Sequence, residues 1–209
     1  MSQKFIPKEF EKIVRTYLKR AELSEEFYLR CIDELKKVEL HKITEDDVRR
    51  VIEQFLIMWG EMRRVLSQKK RKCWQKRLAM KIREIANLLK NFRKKDLLES
   101  SDKELNELKK DIESCYSAIK EIIGPTSAAK TLHMIAPNFF PLWDSKIRDS
   151  HGIKGTDERA YFHFMQRILN DWSKRKDYLK RISEEFGCLL YTSDAADEGL
   201  GVDLGGRRI

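Results

Sequence analysis

Apolar residues recur every three or four positions along most of this sequence, and this spacing is what most constrains its fold. Three long stripes have the period of one face of an α-helix. They comprise Val48, Val51, Ile52, Phe55, Trp59, Met62 and Leu66, then Leu78, Ile82, Ile85, Leu89 and Phe92, then Leu105, Leu108, Ile112, Cys115, Ile119 and Ile122. No segment alternates with the period of two that a half-buried strand requires. The pattern predicts an all-α fold, a single multi-helix orthogonal bundle with no sheet.

Capping residues and helix breakers set the expected ends of the helices. Ser24 and Thr44 precede two helical patterns as N-caps, and Ser101 begins a capping box with Glu104 three residues on. Residues 137–143 contain two prolines and should be irregular. The first expected helices are 7–20, 24–41 and one that begins after Thr44. The second and third apolar stripes form the next ones, followed by 126–136 and a short helix capped by Asp144. The last is 156–186, with these residues inward: Phe162, Met165, Ile168, Leu169, Trp172 and Leu179.

The last 22 residues, from Cys188 onward, depart abruptly from this pattern and contain four glycines between Gly199 and Ile209. They resemble the in-frame translation of a transposon-type sequencing adapter, because TGT CTC TTA TAC ACA TCT GAC GCT GCC GAC encodes the first ten of them. We therefore expect one native helical domain over residues 1–187, cut short at its carboxyl end in an assembled environmental sequence. Residues 188–209 would be a non-native, disordered tail. The alternative is a natural glycine-rich tail.

The sequence also limits where the protein works. No apolar run approaches the roughly 18 to 20 residues of a membrane-spanning helix, which excludes an integral membrane protein. The amino terminus has no apolar signal-peptide core, so a cytoplasmic location is expected.

Cysteine and histidine spacing argues against a metal site or a disulfide framework. The four cysteines lie tens of residues apart and are predicted to be buried, reduced thiols. They are Cys31, Cys73, Cys115 and Cys188. His41, His151 and His163 have no cysteine or carboxylate at metal-ligand spacing. We predict no metal and no cofactor.

Positive charge is concentrated in one segment. The chain carries a formal net charge of +9, and without the tail it has 41 basic and 30 acidic residues, or +11. Between residues 68 and 95 there are twelve bases and one acid, Glu84, so this segment holds the whole surplus. The bases are Lys69, Lys70, Arg71, Lys72, Lys76, Arg77, Lys81, Arg83, Lys90, Arg93, Lys94 and Lys95.

A surplus of this kind builds a positive field that attracts phosphates. We therefore predict a nucleic acid partner, specifically double-stranded DNA. A membrane surface is disfavoured because the apolar face of the basic segment is a continuous stripe suited to a core. The alternative is a solvated helix face with no partner, which is how most charge runs are used.

The residues from Ile122 to Ile147 read IIGPTSAAKTLHMIAPNFFPLWDSKI and break the helical regularity. This stretch resembles the helix-hairpin-helix DNA glycosylase superfamily, which includes endonuclease III. Gly124 to Ala128 is similar to the second half of the family hairpin, and Pro141 to Ile147 is similar to the loop that ends in the family aspartate. Ile122 stands where the family has its first hairpin glycine, and Thr126 stands at the position of the lyase lysine. No cysteine-rich cluster follows Asp144.

The resemblance implies monofunctional hydrolysis of an N-glycosidic bond in DNA, without lyase activity or an iron–sulfur cluster. Asp144 would be the catalytic residue, stabilising positive charge on the sugar and orienting the attacking water. Gly124, Thr126 and Ser127 would bind a DNA phosphate in the hairpin. An extruded base needs a pocket with aromatic walls, for which the candidates are Phe139, Phe140 and Trp143.

Each of these residues also has a structural interpretation. Asp144 can be a helix N-cap without chemistry, the three aromatic residues can be core, and His133 is expected to be a buried core histidine rather than a base. The functional alternatives are a non-enzymatic nucleic-acid-binding helical domain and a helical protein-interaction module. A cleft shared by Asp144, His133 and the aromatic residues, bordering the basic segment, would favour catalysis.

Overall fold

The computed structural model describes residues 26–58, 62–67 and 73–172. These residues form helices joined by short turns and contain no strand, which confirms the all-α prediction. The predicted helix 7–20, the Ser24 cap, Leu179 and the predicted tail 188–209 lie outside the described residues.

The amino-terminal helices are α1 at residues 26–37, α2 at residues 45–58 and α3 at Arg63–Leu66. Thr44 caps α2 as predicted: its hydroxyl accepts from the Asp47 amide at 3.1 Å, and the Asp47 carboxylate accepts from the Thr44 amide at 2.9 Å. The middle of α2, Val48–Glu53, is a π-helix whose Val48, Val51 and Ile52 are buried. Of the first apolar stripe, Val48, Val51, Ile52 and Phe55 lie on α2 and Leu66 lies on α3, while Trp59 lies outside the described residues.

The second stripe forms α4, Trp74–Glu84, and α5, Ala86–Phe92. Ile85 between them departs from helical geometry, but its carbonyl still accepts from the Leu89 amide at 3.1 Å, so the two helices follow one another closely. The third stripe forms α6, Asp102–Glu107, and α7, Lys109–Ile123. Ser101 and Glu104 form the predicted capping box at the start of α6.

The carboxyl-terminal helices are α8 at Pro125–Ile135, α9 at Ser145–Ser150 and α10 at Glu158–Trp172. Gly124 joins α7 to α8 at φ 87° and ψ 170°, a backbone conformation that only glycine adopts readily. The segment from Pro137 to Trp143 is irregular, as predicted from its prolines.

One hydrophobic core joins these helices. The long helix α7 lies at its centre and packs against α4, α8 and α10. The inward residues predicted for α10 are buried, except that Trp172 is only partly buried: they are Phe162, Met165, Ile168 and Leu169. No helix among the described residues is long and apolar enough to cross a membrane.

Two of the predicted buried thiols are confirmed and one prediction is wrong. Cys31 and Cys115 are buried, and burial raises their thiol pKa values to about 11 and about 12, which makes both unreactive. Cys73 is exposed, because it lies just before α4 in a left-handed conformation at φ 52°, off the apolar face of the helix.

Candidate nucleic-acid interface

The solvent-facing side of α4, α5 and the residues after them carries exposed cations. Five of them make no ion pair in the described part of the chain: Lys76, Arg77, Lys90, Lys94 and Lys95. Together with the exposed Arg83 we call them the basic face. Lys76 and Arg83 lie seven residues apart on α4, which places them on the same side of that helix about 10 Å apart, and Lys90 lies on α5.

Arg83 connects the basic face to the loop between α1 and α2. Its Nε donates to the Ile43 carbonyl at 2.7 Å. In the same loop Glu39 pairs with Lys42 at 2.8 Å and with His41 at 3.4 Å. The hydrogen bond from Lys42 is the main reason that the pKa of Glu39 is lowered. The loop therefore borders the basic face without adding an unpaired negative charge.

The one acidic residue of the basic segment does little to reduce its charge. Glu84 forms an ion pair with Lys81, three residues before it on α4. This pair removes one cation together with the one anion, and it involves none of the six cations of the basic face.

Arg93, predicted to belong to the basic surface, faces the interior instead. Its guanidinium donates to the carbonyls of Leu35 at 2.9 Å, Val38 at 3.3 Å and Ile135 at 3.2 Å. Burial lowers its pKa, although an arginine remains charged. The guanidinium thus ties the carboxyl ends of α1 and α8 to the end of α5. Its position four residues after the buried Leu89 was the signal in the sequence that it lies on the apolar stripe.

Four further bases predicted for this surface lie outside the described residues. They are Lys69, Lys70, Arg71 and Lys72, and their part in the interface stays a prediction.

The turn at Gly124 places the predicted hairpin residues at the start of α8. Position 122, the first glycine of the family hairpin, is Ile122 within α7, so a single non-helical residue joins the two helices. Thr126 is partly exposed, whereas the Ser127 side chain is buried and its hydroxyl has no hydrogen-bond partner among the described residues. Of the three predicted phosphate ligands, only Thr126 has a side chain at the surface.

Asp144 caps α9. Its Oδ1 accepts from the Ile147 amide at 2.9 Å, the bond expected of an N-cap. The carboxylate is partly exposed, and no donor within the described residues bonds to its Oδ2. Asp144 is therefore a helix N-cap, as its structural interpretation predicted, and its Oδ2 is left to accept a further hydrogen bond.

The three aromatic candidates for a base pocket are buried in the core, each with at most 1 % of its surface exposed. Phe139 stacks on Phe92 with ring centroids 4.7 Å apart, and Phe140 meets the same ring edge-on at 5.0 Å. Trp143 packs edge-on against Tyr161 at 5.1 Å. Neighbouring rings thus occupy the space on which a base would have to stack.

His133 lies at the centre of a buried polar contact that sequence spacing did not indicate. Its Nδ1 lies 2.8 Å from the Phe140 carbonyl, which can only accept, so Nδ1 carries the proton and donates. Its Nε2 then accepts from the Tyr28 hydroxyl at 2.6 Å. Burial lowers the pKa of His133 to about 4, so the ring is neutral at pH 7. The partners belong to α1 and to the loop after α8, which this contact joins.

His133 and the three loop aromatic residues are buried, so no open cleft joins them to the partly exposed Asp144. A surface cavity of about 530 Å³ lies elsewhere, against α1 and the start of α2. Its lining is Glu34, Lys37, Val38, Glu39, Lys42, Asp47 and Arg50, which carry both signs of charge. Asp144, His133 and the loop aromatic residues do not line it. No group of three or more potential metal ligands was found among the described residues.

The sequence profile of a family of unknown function, DUF6308, matches residues 66–188, more than half of the chain. The chain belongs to the DUF6308 family. No curated protein and no solved structure matched the chain significantly.

The DUF6308 region includes the basic face, the Gly124 turn, the Asp144 loop and α10. The helices α1 and α2 precede it, yet their buried residues belong to the same core. The match ends at residue 188, where the predicted adapter-derived tail begins.

Proposed function

We propose that this protein is a nucleic-acid-binding helical domain that contacts the phosphate backbone of double-stranded DNA with its basic face. The observation that supports it best is the set of five exposed cations without ion pairs on the surface of α4, α5 and the residues that follow. A helix face that serves only solubility usually mixes the two signs of charge. Here the one acid, Glu84, is paired with Lys81.

The dimensions of this surface suit a duplex. At 1.5 Å per residue α4 is about 16 Å long and α5 about 10 Å long. One strand of B-form DNA presents a phosphate about every 3.4 Å of helix axis, so this surface can run beside several of them. Each phosphate neutralised by a lysine or arginine releases counterions, which makes the affinity fall steeply as salt rises.

Neutralising three basic-face lysines tests the proposal. We expect the triple variant Lys76→Gln, Lys90→Gln and Lys94→Gln to bind a duplex at least about tenfold more weakly at low salt, because three phosphate contacts are lost. The slope of log affinity against log salt should also become shallower by about 2 to 3. Fluorescence anisotropy with a labelled duplex over a salt series measures both quantities.

A matched control carries the same change of charge elsewhere. Lys103, Lys110 and Lys154 are exposed lysines on other elements and have no ion pair within the described residues. Their replacement by Gln should lower affinity much less. Equal losses in the two triple variants would show that only net charge matters, and no binding by the wild-type protein at low salt would reject the proposal.

A second candidate function is the monofunctional base excision implied by the family resemblance. Two observations support base excision as a candidate function. Asp144 is partly exposed, and its Oδ2 takes no part in the hydrogen bond by which Oδ1 caps the helix. Such a carboxylate can stabilise an oxocarbenium-like sugar and hold a water for attack. The aromatic residues that the resemblance assigns to the base are buried, so this function would require a base site built from other groups.

The substitution Asp144→Asn tests this second candidate. Asn is also a good N-cap, so the free energy of unfolding should change by no more than about 1 kcal/mol, while the negative charge is lost. If the second candidate is right, base release from lesion-bearing duplexes should disappear while DNA affinity persists.

Asp157 provides the control for this test, because its Oδ1 caps α10 by accepting from the Ala160 amide at 2.8 Å. Asp157→Asn should leave base release unchanged. Base release by the Asp144→Asn protein at the wild-type rate, or none by the wild-type protein on a full panel of lesions, would eliminate base excision and leave the binding proposal intact.

A further inference from the structure

Neutral side chains lie beside the cations of the basic face. Asn87 and Asn91 are exposed on α5 and are one helical turn apart. Neither amide makes a hydrogen bond within the described part of the chain. Met80 on α4 is 51 % exposed, which is unusual for a large apolar side chain. Glu84, four residues after Met80 and three before Asn87, is also exposed and is paired with Lys81. We call Met80, Asn87 and Asn91 the neutral row.

The chemistry of the neutral row matches the edge of an A·T pair in the major groove. An asparagine amide can donate to adenine N7 and accept from adenine N6, and an apolar group can contact the thymine methyl. A minor groove presents neither N7 nor this methyl group. Exposed amides without an intramolecular partner are free to form such bonds.

We propose that α4 and α5 enter the major groove of duplex DNA, where Asn87 and Asn91 read adenine and give a preference for A·T pairs. This inference rests on the proposed DNA-binding function and specifies how the same surface recognises its partner. The phosphates on one side of the groove bind Lys76 and Arg83 on α4 and Lys90 on α5.

The geometry of the helix agrees with this placement. Asn87 and Asn91 are separated by about 6 Å along the axis, close to two base-pair steps of 3.4 Å, so the two amides reach different base pairs. The major groove of B-form DNA is about 12 Å wide and admits one helix, whereas the deep, narrow major groove of A-form RNA does not. The inference therefore favours DNA over double-stranded RNA.

The experiment compares two duplexes of equal length, one rich in A·T pairs and one rich in G·C pairs, by fluorescence anisotropy. We expect the wild-type protein to prefer the A·T duplex by about tenfold or more. The double variant Asn87→Ala and Asn91→Ala should bind both duplexes alike, with its affinity for the G·C duplex and its salt dependence unchanged. Alanine favours an exposed helix, so this variant should fold.

A chemical probe locates the contact. Replacing adenine by 7-deazaadenine removes the N7 acceptor from the major groove and leaves base pairing intact. This replacement should lower the affinity of the wild-type protein for the A·T duplex and have no effect on the double variant. Asn170→Ala, an exposed asparagine on α10, is the matched control and should retain the full preference.

The outcomes separate this inference from the function on which it rests. No binding to either duplex at low salt would reject the DNA-binding function and the inference with it. Binding without a preference for A·T pairs would overturn the inference alone. A preference that survives the double variant or the 7-deazaadenine replacement would place recognition elsewhere and would also overturn it.

Discussion

Replacing Arg93 with Met should lower the free energy of unfolding by about 3 kcal/mol, because three main-chain carbonyls would lose a charged donor. These carbonyls belong to Leu35, Val38 and Ile135. Methionine keeps an unbranched apolar stem in place, so the loss reports mainly on the hydrogen bonds. The Leu35 carbonyl still accepts from the Val38 amide at 3.1 Å, which keeps the expected loss below the sum of three separate penalties.

Urea unfolding followed by circular dichroism measures this change. Arg93→Lys should lower the free energy of unfolding less than Arg93→Met does, because the lysine ammonium still donates hydrogen bonds. It should still be less stable than the wild-type protein, because an ammonium cannot reach all three carbonyls as the planar guanidinium does. Arg77→Met is the control, since Arg77 is exposed and unpaired in the described residues, and it should change stability by less than about 0.5 kcal/mol. Equal effects at residues 77 and 93 would contradict the role given to Arg93.

Acid should destabilise the protein through His133. Its pKa is about 4 in the folded state and 6.5 in an unfolded chain, so the unfolded state takes up a proton first as the pH falls. The contribution of the neutral ring is complete above pH 6.5 and is lost progressively between pH 6.5 and 4. The difference between the two pKa values corresponds to a loss of about 3 kcal/mol in the free energy of unfolding when the pH falls from above 6.5 to about 4.

Unfolding curves at a series of pH values test this prediction. The variant His133→Gln is neutral throughout the range, so its free energy of unfolding should depend much less on pH between 6.5 and 4.5. Carboxylates titrate mainly below that interval and are common to both proteins. The same pH dependence in the variant and the wild-type protein would show that other groups are responsible.

The sequence predicted those parts of the fold that depend on neighbours in the chain. Thr44, Ser101 and Asp144 were each recognised as N-caps, because a cap bonds to an amide three residues on. Helical period also indicated which residues face inward. The Tyr28–His133 bond joins residues 105 apart in sequence, and neither periodicity nor capping can indicate such a partner.

The candidate interface was predictable as a concentration of charge, but its members were not. The sequence shows twelve bases in one segment. In the folded chain the Arg93 side chain points inward and Lys81 forms an ion pair with Glu84, whereas Lys76 and Lys90 are exposed. The neutral row was missed because asparagine has no charge to count. Exposure and the absence of internal partners are what make Asn87 and Asn91 noticeable, and both require the structure.

The contact between Tyr28 and His133 has a consequence for how this chain can be divided. The match to the family profile starts at residue 66, yet Tyr28, Ile32 and Leu35 belong to the same core as the matched residues. A fragment of this chain cut at residue 66 would leave the His133 ring without its hydroxyl donor and would expose apolar surface to water. We therefore expect the cooperative folding unit of this chain to include α1 and α2 as well as residues 66–188, so that a fragment starting at residue 66 would be less stable than one starting before α1.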